Sequence, residues 1–100
     1  MPKVLQVVIY TSVSDEGKLA NYAALAGPAM MAQGARFLAR GIPVAVREAG
    51  QKTRTVVIEW PSMEAADAGY NSPAYQKAIV ALDGGAEREF RPIVIIGLVK

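Results

Sequence analysis

This chain contains no His and no Cys, so the groups left to move protons, hold anions or attack carbonyls are carboxylates, Arg, Lys, Tyr and hydroxyls. Thiolate nucleophiles, disulfides, Cys/His zinc sites, His-ligated haem, Ser-His-Asp triads and His general bases are thereby excluded within the chain. Two charged residues stand out against apolar surroundings. Glu59 interrupts the run Thr55 to Trp60 (TVVIEW), and Arg40 ends Ala35 to Arg40 (ARFLAR). If the two meet across a sheet, two readings are open. They form a buried or half-buried ion pair that fixes register or a dimer, or Arg40 holds a substrate carboxylate or enolate while a desolvated Glu59 moves a proton. Tyr22 and Tyr75 fall on helix faces turned toward the sheet. There they serve as core, or as phenols lining a cleft between helices and sheet. Ser72 precedes Pro73 and reads as a helix N-cap, since no His exists to activate it as a nucleophile. Gly84-Gly85 lacks the preceding strand and following spacing of a phosphate loop and reads as a flexible turn. No Asp/Glu cluster has the spacing of a calcium loop or a paired-carboxylate site, so neither metal nor cofactor is expected.

The elements that must position these groups follow from periodicity. Val4 to Val13 (VLQVVIYTSV) alternates as a strand that is apolar on both faces. Asp15 suits an N-cap, and Leu19, Tyr22, Ala23, Ala26, Met30 and Gln33 recur at helical spacing, predicting a helix over Glu16 to Gln33 that Gly34 ends in a left-handed conformation. Pro28 predicts a kink near Ala24 to Pro28. Ala35 to Arg40 reads as the second strand, Gly41-Ile42-Pro43 as a turn, Val44 to Glu48 as a short extension or edge strand, and Gln51 to Arg54 as a polar turn into the third strand. That strand ends at Pro61, which has no N–H to donate. Ser62 and Ser72-Pro73 then open helices over Ser62 to Gly69 and Pro73 to Leu82, and Phe90 to Val99 reads as the last strand. The order β-α-β-β-α(α)-β is α+β, a ferredoxin-like split βαβ arrangement, with an antiparallel sheet and its helices on one face.

One hundred residues make a single domain over 1–100, and 52% of them are hydrophobic, at the high end for that length. Helices of one chain cover one sheet face, yet the central strands are apolar on both. Leaving about ten aliphatic side chains in water forfeits on the order of 15–30 kcal/mol. A second copy packed sheet against sheet is the simplest cover, making a homodimer the expected state. Eleven basic and nine acidic residues are scattered without a Lys/Arg run, so nucleic acid is not an expected partner. No apolar run is long enough to span a bilayer, and with no disulfide and no charged-then-apolar leader the expected location is the cytoplasm.

Four spaced segments, Tyr22 to Ala26 (YAALA), Gly34 to Gly41 (GARFLARG), Val56 to Ala65 (VVIEWPSMEA) and Asn71 to Gln76 (NSPAYQ), together resemble the DUF1330 family over nearly the whole chain. The resemblance implies a dimeric α/β barrel, in which two ferredoxin-like sheets face one another. Its wider superfamily includes cofactor-independent monooxygenases, cyclases, isomerases and haem-degrading enzymes. Arg40, Glu59, Tyr70, Ser72 and Tyr75 match polar positions of the family, whereas Gln33 and Asp83 depart from its pattern. Together these readings imply one of two functions. The chain is a cofactor-independent enzyme acting on a small carbonyl or carboxylate compound, with Arg40 and Glu59 catalytic and Tyr22, Tyr70, Ser72 and Tyr75 binding substrate. Otherwise it is a non-catalytic small-molecule-binding or accessory dimer that uses the same cleft.

Overall fold

The computed structural model describes residues 2–96. Its elements run β1 (Val4–Val13), α1 (Glu16–Met31), β2 (Arg36–Gly41), β3 (Thr55–Trp60), α2 (Met63–Asn71), α3 (Pro73–Leu82) and β4 (Ala86–Val94). The strands form one sheet in the order β2-β3-β1-β4, with every neighbouring pair antiparallel. This is the expected ferredoxin-like α+β arrangement. β1 and β3, the two most apolar strands, take the central positions, and alternation along them decides what each face meets. Val4, Val8, Tyr10, Val56, Ile58 and Trp60 are buried beneath the helices, while Leu5, Val7, Ile9 and Val57 point to the opposite face and stay half-exposed.

Capping residues set the helix boundaries. The Asp15 carboxylate accepts from the Lys18 N–H, and Ser62 Oγ accepts from the Ala65 N–H, so both helix starts form where their N-caps predict. Ser72 serves both helices at the α2–α3 corner, its hydroxyl donating to the Gly69 carbonyl at 2.9 Å and accepting from the Tyr75 N–H at 3.2 Å. α1 ends two residues earlier than its periodicity suggests, because the Ala35 N–H turns back to the Met30 carbonyl and the Gly34 N–H to that of Met31. Gly34 takes φ +100°, the left-handed geometry this closure requires. Pro28 is accommodated inside α1 as one continuous helix. Both Pro28 and Ala24, whose carbonyl loses its donor, are exposed residues.

Two strand readings are corrected. Val44 to Glu48 forms no strand and belongs to the long connection 42–54, where Val44 is 97% exposed and Glu48 takes a positive φ of 53°. β3 is already paired on both edges, and the sheet's open edges belong to β2, the strand this segment has just left, and to β4 at the far side. Pro43 and the turn at Glu48 then oppose a return along the β2 edge. The last strand begins at Ala86, four residues before Phe90, and ends at Val94, short of Ile95 and Ile96; the remainder of its expected span, to Val99, lies outside the described residues. Left-handed Asp83 completes the turn early, and the Gly85 carbonyl accepts from the Ser14 and Asp15 N–H groups, which starts β4 beside the end of β1.

α2 approaches β3 closely because residue 69 has no side chain. A Cβ added at Gly69 would come within 2.9 Å of Trp60 Cζ3 and closer still to Cη2 of the same ring, and Trp60 is only 1% exposed. Neither backbone nor indole has room to yield. Gly69→Ala is therefore expected to destabilise the chain by about 1–3 kcal/mol, read as a lower urea midpoint at unchanged slope.

Candidate functional site

The inward stripe of β4 is Ala86, Arg88 and Phe90, and register places Arg88 opposite Tyr10 of β1. Its guanidinium is thus carried under the helices. The carbon at its centre lies 4.5 Å from the Tyr22 ring centroid, 4.8 Å from that of Phe90 and 5.8 Å from that of Tyr10. Such contacts contribute about 0.5–2 kcal/mol each and hold the cation in place. They leave one of its nitrogens unmatched. Arg88 Nη1 is buried without a hydrogen-bond partner, and Arg88 forms no ion pair among the described residues. A buried donor left unmatched on a charged group is costly, and an anionic oxygen at that point would relieve it.

Behind Arg88 the Tyr22 and Tyr75 hydroxyls are 2.6 Å apart, joining α1 to α3, and their rings meet edge to face. Tyr75 is 0% exposed. Burial pushes the Tyr22 phenol well above its ordinary value, and the neighbouring Tyr75 adds to this. Burial likewise raises Tyr75, with its bond to Tyr22 and the nearby Arg88 charge working the other way without prevailing. Burial opposes the Arg88 charge, but the two phenol oxygens outweigh it and keep this guanidinium above an ordinary arginine. The cluster is therefore a fixed cation beside two neutral hydrogen-bonding phenols. It can stabilise negative charge but offers no base at neutral pH.

Tyr70 of α2 packs on Tyr75 and Phe90, with ring centroids 5.4 and 5.8 Å away, and marks the edge of an open cleft of about 360 Å³ between α2 and the β1–β4 half of the sheet. Gln6, Asp67, Phe90 and Arg88 also line it. Gln6 is 6% exposed, the one polar side chain in the inward stripe of β1, and its amide makes no hydrogen bond to another described residue. Cation, amide, phenol and carboxylate thus border a single opening.

The expected site residues are divided by this geometry. Tyr22, Tyr70 and Tyr75 are brought together around Arg88. Ser72 is committed to capping and does not reach the cleft lining. Arg40 and Glu59 do not meet. Arg40 stands opposite Val56 on the helix side of the sheet, whereas Glu59 is paired in register with Arg36 and points to the other face, with Lys3 and Arg36 nitrogens each 3.9 Å from its carboxylate. Glu59 and Val56 are three residues apart, an odd offset that reverses sides in a strand. Arg88 and Gln6 escaped notice in the sequence. Their signal was present: a Gln inside the apolar alternation of β1, and the alternation Ala86, Arg88, Phe90 just before the last apolar run.

A phenol harder to ionise folded than unfolded contributes stability that is complete below the unfolded-state pKa of about 10 and is lost as pH rises beyond it. Tyr22 and Tyr75 both have this sign. Absorbance at 295 nm should therefore show Tyr22→Phe removing a transition that lies above the ordinary tyrosine range. Unchanged alkaline titration in that variant would contradict the cluster. The same change leaves the Tyr75 hydroxyl buried without its partner and is expected to cost about 1–3 kcal/mol.

Among the described residues no helix is long and apolar enough to cross a membrane, and no group of three or more acidic residues is placed to hold a metal ion. No curated protein is detectably similar in sequence. Solved structures share the fold. A protein of unknown function from Rhodopseudomonas palustris, RPA0582, superposes with a TM-score of 0.74 at 12% identity, over 97% of this chain and 85% of that one. SnoaB, a cofactor-independent oxygenase from Streptomyces nogalater, gives 0.62 at 15% identity over 99% and 98%. A dimeric ferredoxin-like protein of unknown function from Jannaschia gives 0.65 at 12% over 93% and 99%. The family described as a domain of unknown function, DUF1330, matches residues 4–96, so the chain belongs to the DUF1330 family.

Proposed function

We propose that the cleft beside Arg88 binds a small carbonyl or carboxylate compound and that the protein is a cofactor-independent enzyme which stabilises an enolate there. The observation that carries this reading is the buried Nη1 of Arg88, without a partner among the described residues, on a side chain that lines an open cleft. In this reaction the proton α to a carbonyl passes to Asp67, the carboxylate of the cleft lining, while Arg88 takes up the negative oxygen that develops. Gln6 and Tyr70 orient the substrate, and Tyr22 and Tyr75 act as positioning residues for Arg88. The similarity of fold to a cofactor-independent oxygenase supports an enzyme that works without metal or prosthetic group. Arg40 and Glu59, on opposite sheet faces, do not act as a pair in this scheme.

A second reading is favoured by the scarcity of acid–base groups. The two phenols are held neutral, and the cleft has one carboxylate, on an exposed residue. A binding or accessory protein would need no more. Acetoacetate in D₂O separates the two readings, because its binding and its C2 proton exchange are read in one NMR experiment. The enzyme reading expects exchange faster than in buffer, lowered at least tenfold by Arg88→Gln and by Asp67→Asn. Binding without added exchange supports the accessory reading, and neither effect refutes the site.

We further propose that the protein works as a homodimer joined through the uncovered sheet face. Leu5, Val7, Ile9, Val57 and Ile93 cluster there, ringed by Lys3, Arg36, Glu59, Glu89 and Arg91. An apolar centre with a charged rim is the anatomy of a subunit interface, and a proposed place in the cytoplasm accords with a chain that uses no cysteine. Light scattering at micromolar concentration should give twice the 10.6 kDa chain mass. Val57→Lys should abolish the dimer; a wild-type chain that remains a folded monomer would overturn the proposal.

A further inference from the structure

The uncovered sheet face differs at its two ends. Register gathers Arg36, Glu59, Leu5 and Ile93 into one row across all four strands. A second row, Gly41, Thr55, Ile9 and Glu89, lies toward the other end, from which the connection 42–54 leaves. There Ala49, Gly50 and Gln51 wall a hollow of about 530 Å³ floored by Val7, Ile9 and Arg91, and Ile42 and Pro43 wall another of about 310 Å³ over Ala39 and Val57. The connection thus stands above the open face at that end. Neither hollow reaches the first row, so Leu5 and Ile93 lie on a bare end.

On the raised connection every second residue is an exposed aliphatic: Ile42, Val44 and Val46 are 59%, 97% and 37% exposed. Single apolar side chains in water are ordinary, but three on one short segment, continuous with an apolar sheet face, extend that face into a single sticky surface. Two copies joined through it are related by a two-fold axis lying between the sheets. An axis along the strands sets raised end against raised end, which props the faces apart and leaves Leu5 and Ile93 in water. An axis across the strands lays each raised end on its partner's bare end and closes both. Charge agrees with the second arrangement. Glu48, in the turn of the connection, forms no ion pair among the described residues, while the bare end sets Lys3 and Arg36 against the one carboxylate of Glu59. We propose that the two-fold axis runs across the strands and that each 42–54 connection is an arm covering the bare end of its partner's sheet, its aliphatic trio on the partner's Leu5 and Ile93 and Glu48 toward the partner's Lys3 and Arg36. This arrangement rests on the homodimer proposed above and adds to it the direction of the axis and the work of the arm.

Dimers mixed from one ¹³C-labelled and one unlabelled protomer test the axis, because isotope-filtered NMR then records only contacts between protomers. Methyl groups of Ile42, Val44 or Val46 should show cross-peaks to those of the partner's Leu5 or Ile93. Cross-peaks from the arm only to the partner's arm, or none from the arm at all, overturn the proposal. Substitution tests the arm. Val44 is almost wholly exposed in its own protomer, so Val44→Lys should leave the far-UV circular dichroism unchanged and raise the dimer dissociation constant at least tenfold in sedimentation equilibrium. Val80→Lys, at a 77% exposed position on α3, should leave that constant within twofold. A dimer lost in Val57→Lys but untouched by Val44→Lys overturns the arm and leaves the homodimer standing, whereas a wild-type monomer overturns both.

Discussion

One hydroxyl-to-hydroxyl bond, between Tyr22 and Tyr75, joins the two helices that cover most of the sheet. Both phenols are buried, so neither has water to turn to, and each hydroxyl depends on the other. The arrangement around them follows from that. α3 is anchored at its start by Ser72, which places Tyr75 beneath α1, and Tyr70 leans on Tyr75 to border the cleft. Arg88 fits against the Tyr22 face and is held charged in a place where a lone guanidinium would be expensive. Positioning and electrostatics in this site share one contact.

Strand parity governs the distribution of charge. Arg40 and Arg88 occupy inward positions beneath or beside the helices, with Arg54 just ahead of β3 bordering the same side; Glu59 and Glu89 point to the open face. The sheet thus separates unpaired cations on one side from ion-paired carboxylates on the other, where Lys3, Arg36 and Arg91 answer them. A one-residue change of register in β4 or β2 would exchange these environments wholesale. The side chains that fix register, chiefly Val4, Val8, Ile58 and Trp60, are for that reason also what fixes the chemistry of each face.

Most of the fold was legible because its signals are local. Asp15, Ser62 and Ser72 as caps, Pro61 as a strand stop, Gly34 as a helix end and the two-faced β1 and β3 need no long-range information. The candidate site was legible only in part. Tyr22 and Tyr75 could be placed from helical spacing, and Tyr70 from the family resemblance. Pairing Arg40 with Glu59, however, needed a register, and register is set by contacts between distant segments, including a bulge between Phe37 and Ala39 that no local pattern announces. Arg88 was hidden for a related reason. Its strand alternates polar and apolar residues, so only the neighbours β4 acquires on folding distinguish the half-buried arginine from the exposed glutamates on either side.

The close seating of α2 on β3 has a spectroscopic corollary. Trp60 is the sole tryptophan in the chain; its ring presses on the Gly69 backbone, and its Nε1 is buried without a hydrogen-bond partner among the described residues. An indole shielded from water and from donors or acceptors emits at the blue end of its range. The fluorescence of this protein therefore reports from a single point, the contact between the middle of the sheet and the helix that carries Tyr70. Any movement of that helix, whether on heating or as the cleft fills, would be written into the colour of one residue.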